Sequence, residues 1–376
     1  MFAILLISLT TTEAPKTMIR TAAAGAAVCA TLVAMAPCAG STAPATAAMP
    51  LPLASAVAHK TIELVETRGV YPRHQDEYDQ ARAALLALLD ENGGAGQIAY
   101  QALFARIGTL LGTLDANGHS FILPVAPPPA GQDLAASPVA QAMAPDAPTL
   151  EVIATGHGTV LHWTPPAIVD GTPERSRAYA QRFLDEADAL PGIGQACALV
   201  VDLSAQTGGN AWPPLVAMRS LFGDANQAYM VDRDGRRNRL VYRAQLEEMA
   251  RADAGKRADP LGRYAALPLA VVVGSRTSSA GEMLLVALLG ENRVQTFGHV
   301  SDGRSTLNFT HVLPDGSQLV LTEQRYAVGS QPVYRGGIAP MHPLADDARP
   351  GAAVTAGAEW AAAASPMCRT AAAARG

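Results

Sequence analysis

The sequence predicts an α/β protein with a small N-terminal helical domain. From residue 150 onward, apolar strand patterns such as CALVVDLS and LPLAVVV alternate with helical patterns. Before that point, apolar residues recur at three- and four-residue spacing, which is typical of amphipathic helices. A chain of 376 residues is long enough for one large domain and a smaller one. We therefore expect largely parallel strands in the larger unit.

Shifts in composition divide the chain into five segments. Residues 1–48 are predicted to be a leader, and residues 55–123 a helical domain. Residues 124–149 are rich in proline and alanine and are predicted to be a linker. Residues 150–348 hold the α/β core, and the Ala-rich tail, 349–376, is expected to be weakly ordered.

The leader has the pattern of an export signal. Met18 and Arg20 precede an apolar stretch of Ala, Val and Leu, and small residues follow at 45–48. The alternative is a membrane anchor, but the stretch is short and Ala-dominated for a span of about 20 residues. We expect an exported protein, periplasmic or secreted, with no stable membrane span once the leader is removed.

Charge and cysteine content narrow the function classes. The net charge is -5 and there is no run of Lys or Arg, which argues against a nucleic-acid partner. Cys197 and Cys368 lie outside the leader, and they could either remain buried thiols or pair in an oxidising compartment. No Cys/His spacing typical of a zinc site is present, so neither a metal nor a cofactor is predicted.

The elements follow in a regular order. Helical patterns in TIELVETR, QDEYDQARAALLALLDEN and QIAYQALFARIGTLLGTL come first. EVIATGHGTVLHW predicts a strand or hairpin, ERSRAYAQRFLDEADAL a helix, and WPPLVAMRSLFG a helix that starts with prolines. Asp-Gly turns predict two hairpins, in YMVDRDGRRNRLVY and FTHVLPDGSQLVLTEQ. Between them lie a strand over 267–275, a helix over 280–289 and a strand at VQTFG.

Two strand-to-helix turns share one design. One contains Gly208 and Gly209, and the other contains Ser278, Ser279 and Ala280. The first N–H groups of a helix have no intrahelical acceptor and favour negative charge. If the turns are neighbours, one N–H from each could bind an oxyanion, and glycine would let a substrate backbone approach.

Ser279 has two possible roles on local sequence alone. It could cap the helix, since Glu282 three residues later completes a capping box. It could also be a nucleophile, which requires a base within hydrogen-bond reach. His119, in the Gly-flanked turn LDANGHSFILP, is the candidate base among eight histidines.

Four stretches in order carry a family resemblance: LDANGHSFILP, VVDLSAQTGGNAWPPL, VVVGSRTSSAGEMLLVAL, and TFGHVSDGRSTLN followed by DGSQLVLT. Together they resemble the tail-specific (C-terminal-processing) serine peptidases, in the subgroup similar to the tricorn protease core and interphotoreceptor retinoid-binding protein. The resemblance spans about residues 60 to 345. It implies a crotonase/ClpP-like β-α core, a serine-type peptidase activity, and a peptide or protein substrate.

The resemblance also implies roles for individual residues. The nucleophile falls on Ser279 rather than Ser278, and the oxyanion hole falls on Gly208, Gly209 and the N–H of Ala280. In tail-specific members the base is a lysine about twenty-five residues after the serine.

Arg304 occupies that position here, and arginine stays protonated at any working pH. The base therefore falls on His119, as in the tricorn-like members.

The sequence departs from the family in two places. Gly118 stands where the tricorn-like site has a serine, and the orienting glutamate is not evident in VYRGGIAPMHP. Ser120 or Asp115 is therefore expected to orient His119. No region resembling a PDZ domain lies between the histidine turn and the core.

Two other functions stay open at this stage. One is a non-catalytic protein that binds a peptide or apolar ligand on the same fold, which the missing glutamate favours. The other is a serine esterase in which Asp302 and His342 follow the serine, although Thr277 departs from the nucleophile-elbow pattern.

Overall fold

The computed structural model describes residues 47–115, 118–125, 149–168, 172–254, 257–345 and 348–373. Nearly all of the leader, 1–48, and of the linker, 124–149, lies outside these described residues. The described chain forms a helical unit, two larger β-sheets and the helices that cover them.

The N-terminal unit consists of three helices and a short two-stranded ladder. The helices are α1 (Leu51–Thr67), α2 (Gln75–Glu91) and α3 (Tyr100–Gly112), and the ladder pairs β1 (Ala48–Pro50) with β2 (Gln97–Ala99). Leu85, Leu103 and Ile107 are fully buried where the apolar faces of the helices meet. The spacing of these residues explains why the segment folds as a helical cluster.

A second, antiparallel sheet fastens the helical unit to the rest of the chain. It contains β3 (Phe121–Leu123), β7 (Ala228–Asp232), β8 (Arg237–Arg239), β11 (Thr306–Val312) and β12 (Gln318–Val328). Strand β12 pairs with β3, β7 and β11. Its Leu319 and Leu321 are buried in the core of the helical unit, so one strand belongs to both bodies.

A six-stranded sheet forms the centre of the α/β core. Its strands run in the order β13 (His342–Pro343), β10 (Val294–Gly298), β9 (Leu269–Val273), β6 (Ala198–Asp202), β5 (Gly158–Thr164) and β4 (Thr149–Thr155). All neighbours are parallel except β4 and β5, which form a hairpin. Strands β6 and β9 are buried along their whole length, which explains their uninterrupted apolar sequences.

Helices cover the faces of this sheet. They are α4 (Pro173–Ala189), α5 (Trp212–Ala217), α6 (Arg243–Ala254) and α7 (Ala280–Leu289). Residues 280–288 of helix α7 are all buried, which explains why its side chains other than that of Glu282 are apolar. Within the part of the chain that is described, no helix has the length and apolar character needed to cross a membrane.

The Ala-rich tail differs from the sequence-based expectation. Residues expected to be weakly ordered form helices α8 (Ala352–Ala364) and α9 (Pro366–Ala373). Ala358, Ala361 and Ala362 are buried against the apolar side chains of β6, β9 and β10. Alanine has a short side chain that lets the helix lie close to the sheet, so a composition that resembled a linker instead forms a packed layer.

A disulfide fixes this layer. Cys197, next to the start of β6, is bonded to Cys368 in α9, which decides between the two alternatives that the sequence left open. The hydroxyl of Ser365 also donates a hydrogen bond to the carbonyl of Cys197 at 2.5 Å. The disulfide closes a loop of 171 residues in a chain of 376, so it removes conformational freedom from nearly half of the unfolded chain.

We predict that Cys368→Ala lowers the free energy of unfolding by about 2–5 kcal/mol. Urea unfolding in non-reducing buffer measures the loss. As a control, the double variant Cys197→Ala/Cys368→Ala should show no further loss when reductant is added. Equal stability of the unmodified protein with and without reductant would contradict the prediction.

Candidate active site

Two turns meet at one edge of the six-stranded sheet. One follows β6 and the other follows β9, and these strands are adjacent and parallel. The carboxyl ends of neighbouring parallel strands lie at the same edge, where α/β proteins place their ligands. A Cβ atom built on Gly208 would lie 3.2 Å from Ser279 Cβ and 3.7 Å from Ser279 Oγ. The structure thus brings together the two turns that the sequence singled out.

The backbone of Ser279 is strained. Its φ of 53° is the one positive value at a non-glycine residue in the described part of the chain, and its ψ is -110°. A backbone of this kind costs about 1–3 kcal/mol and persists only where the surroundings impose it. Ser279 N–H donates to Glu282 Oε2 at 3.2 Å, and Gly281 N–H donates to the Ser278 carbonyl at 2.8 Å. These bonds fix the turn that presents the serine hydroxyl.

The two adjacent serines face different partners. Ser278 Oγ donates to Asp302 Oδ2 at 2.7 Å. Ser279 Oγ lies 3.1 Å from His119 Nε2. Of the two hydroxyls, that of Ser279 therefore lies beside the imidazole and that of Ser278 beside a carboxylate, which matches the choice that the family resemblance implied.

His119 reaches Ser279 because β3 fastens it to the second sheet. The ring is buried, and the strand that starts two residues later pairs with β12. The His119 carbonyl accepts a hydrogen bond from Asn308 Nδ2 at 2.8 Å, and its N–H donates to Asp115 Oδ1 at 2.6 Å. The backbone of a residue 160 positions before the serine is thus held on both sides.

The ring of His119 is oriented by a residue that the sequence did not indicate. Its Nδ1 lies 2.5 Å from Thr306 Oγ1, at the start of β11. Asp115 and Ser120, the expected orienting residues, form no hydrogen bond with the ring. Asp115 Oδ2 instead accepts from the N–H and hydroxyl of Ser120, and Ser120 Oγ accepts from Thr322 N–H. They shape the backbone turn, and Thr306 holds the imidazole.

Burial keeps the imidazole neutral. The pKa of His119 is lowered to about 4, chiefly by burial and in addition by the charge of Arg304, against the opposing effects of Asp115 and Asp302. At neutral pH the ring therefore carries one proton. If that proton is on Nδ1 and is donated to Thr306, then Nε2 has a free lone pair for the hydroxyl of Ser279.

Glu282 is a buried carboxyl group that links two loops. Besides Ser279 N–H, it accepts hydrogen bonds from Ser301 Oγ at 2.5 Å and from Gly303 N–H at 2.9 Å. Burial raises the pKa of Glu282 to about 7, against these hydrogen bonds, which favour the charged form. The residue ties the serine turn to the loop that carries Asp302 and Arg304.

Two of the three expected oxyanion donors are available. Within the described residues, neither the N–H of Gly209 nor that of Ala280 has a hydrogen-bond acceptor. The N–H of Gly208 donates to Gln206 Oε1, but at 3.4 Å, which is long for such a bond. Gln206, which sequence reasoning missed, donates in turn to the Pro165 carbonyl.

The arrangement expected of an esterase does not form. His342 Nε2 bonds Gln295, and its ring stacks on Phe297. Asp302 accepts from Ser278 and pairs with Arg304 at 3.1 Å. Neither residue hydrogen bonds to Ser279. The described residues also contain no cluster of three or more His, Cys, Asp or Glu that could hold a metal ion.

The sequence of the core matches a family model. Residues 173–341 fit the model described as "Peptidase family S41". This part of the chain is a peptidase family S41 domain. The domain includes Ser279, both glycines of the first turn and Thr306, whereas His119 lies before it. Its presence agrees with the serine-type peptidase that the sequence predicted.

Individual relatives extend the comparison. Over 78 residues, the chain is 36% identical to carboxyl-terminal-processing peptidase 2, chloroplastic, from Arabidopsis thaliana; this covers 20% of the chain and 15% of that protein. The structure of a lipoprotein from Streptococcus agalactiae has a TM-score of 0.59 at 19% identity, covering 83% of this chain and 97% of that one. The photosystem II D1 C-terminal processing protease has a TM-score of 0.40 at 20% identity, covering 57% and 53%. The S. agalactiae structure shows the same fold.

We predict that His119 titrates near pH 4, because burial disfavours the imidazolium. In NMR spectra of protein with labelled histidine, the ring signals should show neutral imidazole from pH 7 down to about 5. Exposed His59 and His157 serve as internal references. Titration of His119 near 6.5 or higher would show that burial does not disfavour the charged form of the imidazole.

Proposed function

We propose that this protein is an exported serine peptidase that hydrolyses peptide bonds through an acyl-enzyme on Ser279. The observation that carries the proposal is the 3.1 Å approach of His119 Nε2 to Ser279 Oγ at a strained turn. The peptidase family S41 domain supports the reaction class. Because the chain covers only 15% of the length of its curated relative, the activity of the whole protein is inferred from the site.

The geometry suggests the steps. His119 accepts the proton of Ser279 Oγ as the oxygen attacks the carbonyl carbon of the substrate. The N–H groups of Gly209 and Ala280 then stabilise the negative charge on the carbonyl oxygen. His119 returns the proton to the leaving nitrogen, and the C–N bond breaks to give the acyl-enzyme. Water, deprotonated by the same imidazole, releases the acid and regenerates the serine.

The hydrogen bond between Thr306 and His119 favours a catalytic function over a function in binding alone. The missing glutamate was the feature that favoured a non-catalytic protein, because an unoriented imidazole is a poor base. Thr306 Oγ1 supplies a hydrogen-bond partner to Nδ1, and this bond fixes the ring rotamer. A hydroxyl stabilises an imidazolium less than a carboxylate would, so we expect a working but slow base.

Export has two independent supports. The leader pattern in residues 1–48 rests on the sequence, since all but the last two of these residues lie outside the described part of the chain. The disulfide between Cys197 and Cys368 belongs to an oxidising compartment. A periplasmic or secreted location accommodates both observations.

We predict that Ser279→Ala lowers peptide hydrolysis by about four to six orders of magnitude, because it removes the attacking oxygen. Ser278→Ala is the matched control: it changes the preceding residue but leaves the hydroxyl beside His119, and should retain at least about a tenth of the rate. Initial rates of hydrolysis of a fluorogenic casein substrate measure the activity of both variants. Equal losses in the two variants would contradict the assignment.

We predict that Thr306→Val lowers kcat about tenfold with little change in KM, because the imidazole loses its one side-chain partner at Nδ1. Thr306→Ser keeps the hydroxyl and should restore most of the rate. Thermal unfolding of both variants separates positioning from folding. A loss of rate in Thr306→Ser equal to that in Thr306→Val would show that packing, not the hydroxyl, matters.

A further inference from the structure

A cavity beside His119 is lined by four arginines. It has a volume of about 80 Å³, and Arg73, Arg304, Arg325 and Arg335 contribute to its walls. Arg325 is buried, whereas Arg73 and Arg335 are exposed and Arg304 is partly exposed, so solvent screens part of the repulsion among the four guanidinium groups. A bound anion would reduce the repulsion that remains. Neither the fold nor the acyl-transfer steps account for this concentration of positive charge.

Negative charge in the wall does not balance it. Asp115 is the one carboxylate among the lining residues, and it already accepts three hydrogen bonds from the turn around His119. Arg304 pairs with Asp302 just outside the cavity. The lining residues alone comprise four arginines and one carboxylate, so the wall of the cavity is positively charged.

Arg325 is the most informative member of the group. Only 8% of its surface is exposed, and its Nη2 donates to the Leu114 carbonyl at a long 3.4 Å. Among the described residues, no carboxylate lies within ion-pair distance of it. Burial lowers the pKa of its guanidinium, as do the neighbouring charges of Arg335 and Arg73, while Asp115 raises it. A buried cation with no carboxylate in ion-pair contact, at the wall of a cavity, favours a bound anion.

The cavity is positioned next to the reaction. His119 and Thr306 form part of its wall, and the same imidazole presents Nε2 to Ser279. During acyl transfer the imidazole gives its proton to the leaving nitrogen, so the leaving part of the substrate must pass beside His119. Ser279 itself does not line the cavity, so a group on that part of the substrate would have to extend past the imidazole to meet the arginines. A volume of about 80 Å³ is room for several water molecules or for a carboxylate with its methylene.

We propose that this arginine-lined cavity binds a carboxylate on the leaving side of the peptide substrate, so that the enzyme prefers an acidic residue within two positions after the scissile bond. This inference rests on the proposed peptidase function. The carboxylate of an Asp or Glu side chain and the carboxylate at the end of a peptide share the same chemistry, and the tests below distinguish them.

Bound carboxylate would also act on the base. A negative charge beside His119 stabilises the imidazolium that forms in the transition state, as Asp115 already does in part. The substrate would then supply part of the charge that the missing glutamate leaves out. We therefore expect the preference in kcat as well as in KM.

The first test uses quenched fluorescent peptides of one sequence, with Asp, Asn or Ala at each of the two positions after the bond that is cut. The Asp peptide should have a kcat/KM about tenfold to a hundredfold above the Asn peptide. Arg335→Ala should remove this preference, and because Arg335 is exposed it should not disturb folding. Arg106→Ala, at an exposed arginine in α3 outside the cavity, should keep it.

A second arm places the carboxylate at the chain end. The Ala peptide, ending two residues after the cut, is compared as a free acid and as an amide. If the free acid is cut faster than the amide while the Asp and Asn peptides are cut at equal rates, the cavity binds the terminal carboxylate of the peptide and not an acidic side chain. The proposed preference for an acidic residue would then be wrong. Equal rates for Asp, Asn and Ala peptides, with acid and amide also equal, would overturn the inference altogether.

A binding measurement separates this inference from the proposed function. N-acetyl-aspartate amide is added to Ser279→Ala protein with labelled histidine, and the pKa of His119 is followed by NMR. We expect it to rise in Ser279→Ala but not in the double variant Ser279→Ala/Arg335→Ala. A rise without any hydrolysis by the wild-type protein would support the anion site and contradict the peptidase. If the wild-type protein hydrolyses peptides but shows neither a rise in the pKa of His119 nor a preference for Asp, the peptidase function would be supported and the anion site contradicted.

Discussion

The hydrogen bond between His119 Nε2 and Ser279 Oγ joins two parts of the chain that fold around different cores. It depends on β12, which packs Leu319 and Leu321 into the helical unit and pairs with β3 just after the histidine. The serine depends on a separate support, the strained turn at the end of β9 that Glu282 holds. Because each residue is fixed by its own core, the pair is pre-organised, and little conformational freedom remains to be lost when a substrate binds.

Electrostatics at the site follow from burial. The ring of His119 lies where a positive charge is costly, so it is neutral and able to accept a proton, but it is a weak base. Arg304, in the wall of the neighbouring cavity, increases that cost, while Asp115 and Asp302 oppose it. The positive charge of the cavity thus lies beside the imidazole, and the N–H groups of Gly209 and Ala280, in the two turns that meet at Ser279, have no acceptor among the described residues.

The sequence specified the α/β elements well because their signals are local. Unbroken apolar runs marked β6 and β9, an Asp-Gly turn marked the hairpin of β11 and β12, and prolines in the first turn marked α5. The tail was misjudged because alanine does not distinguish a flexible segment from a helix packed on a sheet. The disulfide could not be deduced, since the partners are 171 residues apart.

Prediction of the site had the same limit. Ser279, the two glycines and His119 lie in motifs that sequence comparison can find, and the structure brings them together. Thr306 and Arg325 carry no such signal, because a threonine or arginine in a strand pattern is ordinary until the fold shows what it faces. Asp115 and Ser120 were expected at the ring because they are near His119 in sequence, but the hydrogen-bond partner of Nδ1 is Thr306 on β11.

The most direct measurement of the central claim is the site of covalent labelling by a fluorophosphonate, mapped by mass spectrometry of the digested protein. We predict an adduct on Ser279 alone, and we expect this adduct to form at least a hundredfold more slowly in His119→Ala. The adjacent Ser278, whose hydroxyl donates to Asp302, should stay unmodified. An adduct on Ser278, or equal labelling of Ser279 with and without the imidazole, would contradict the Ser279–His119 pair as the reactive unit.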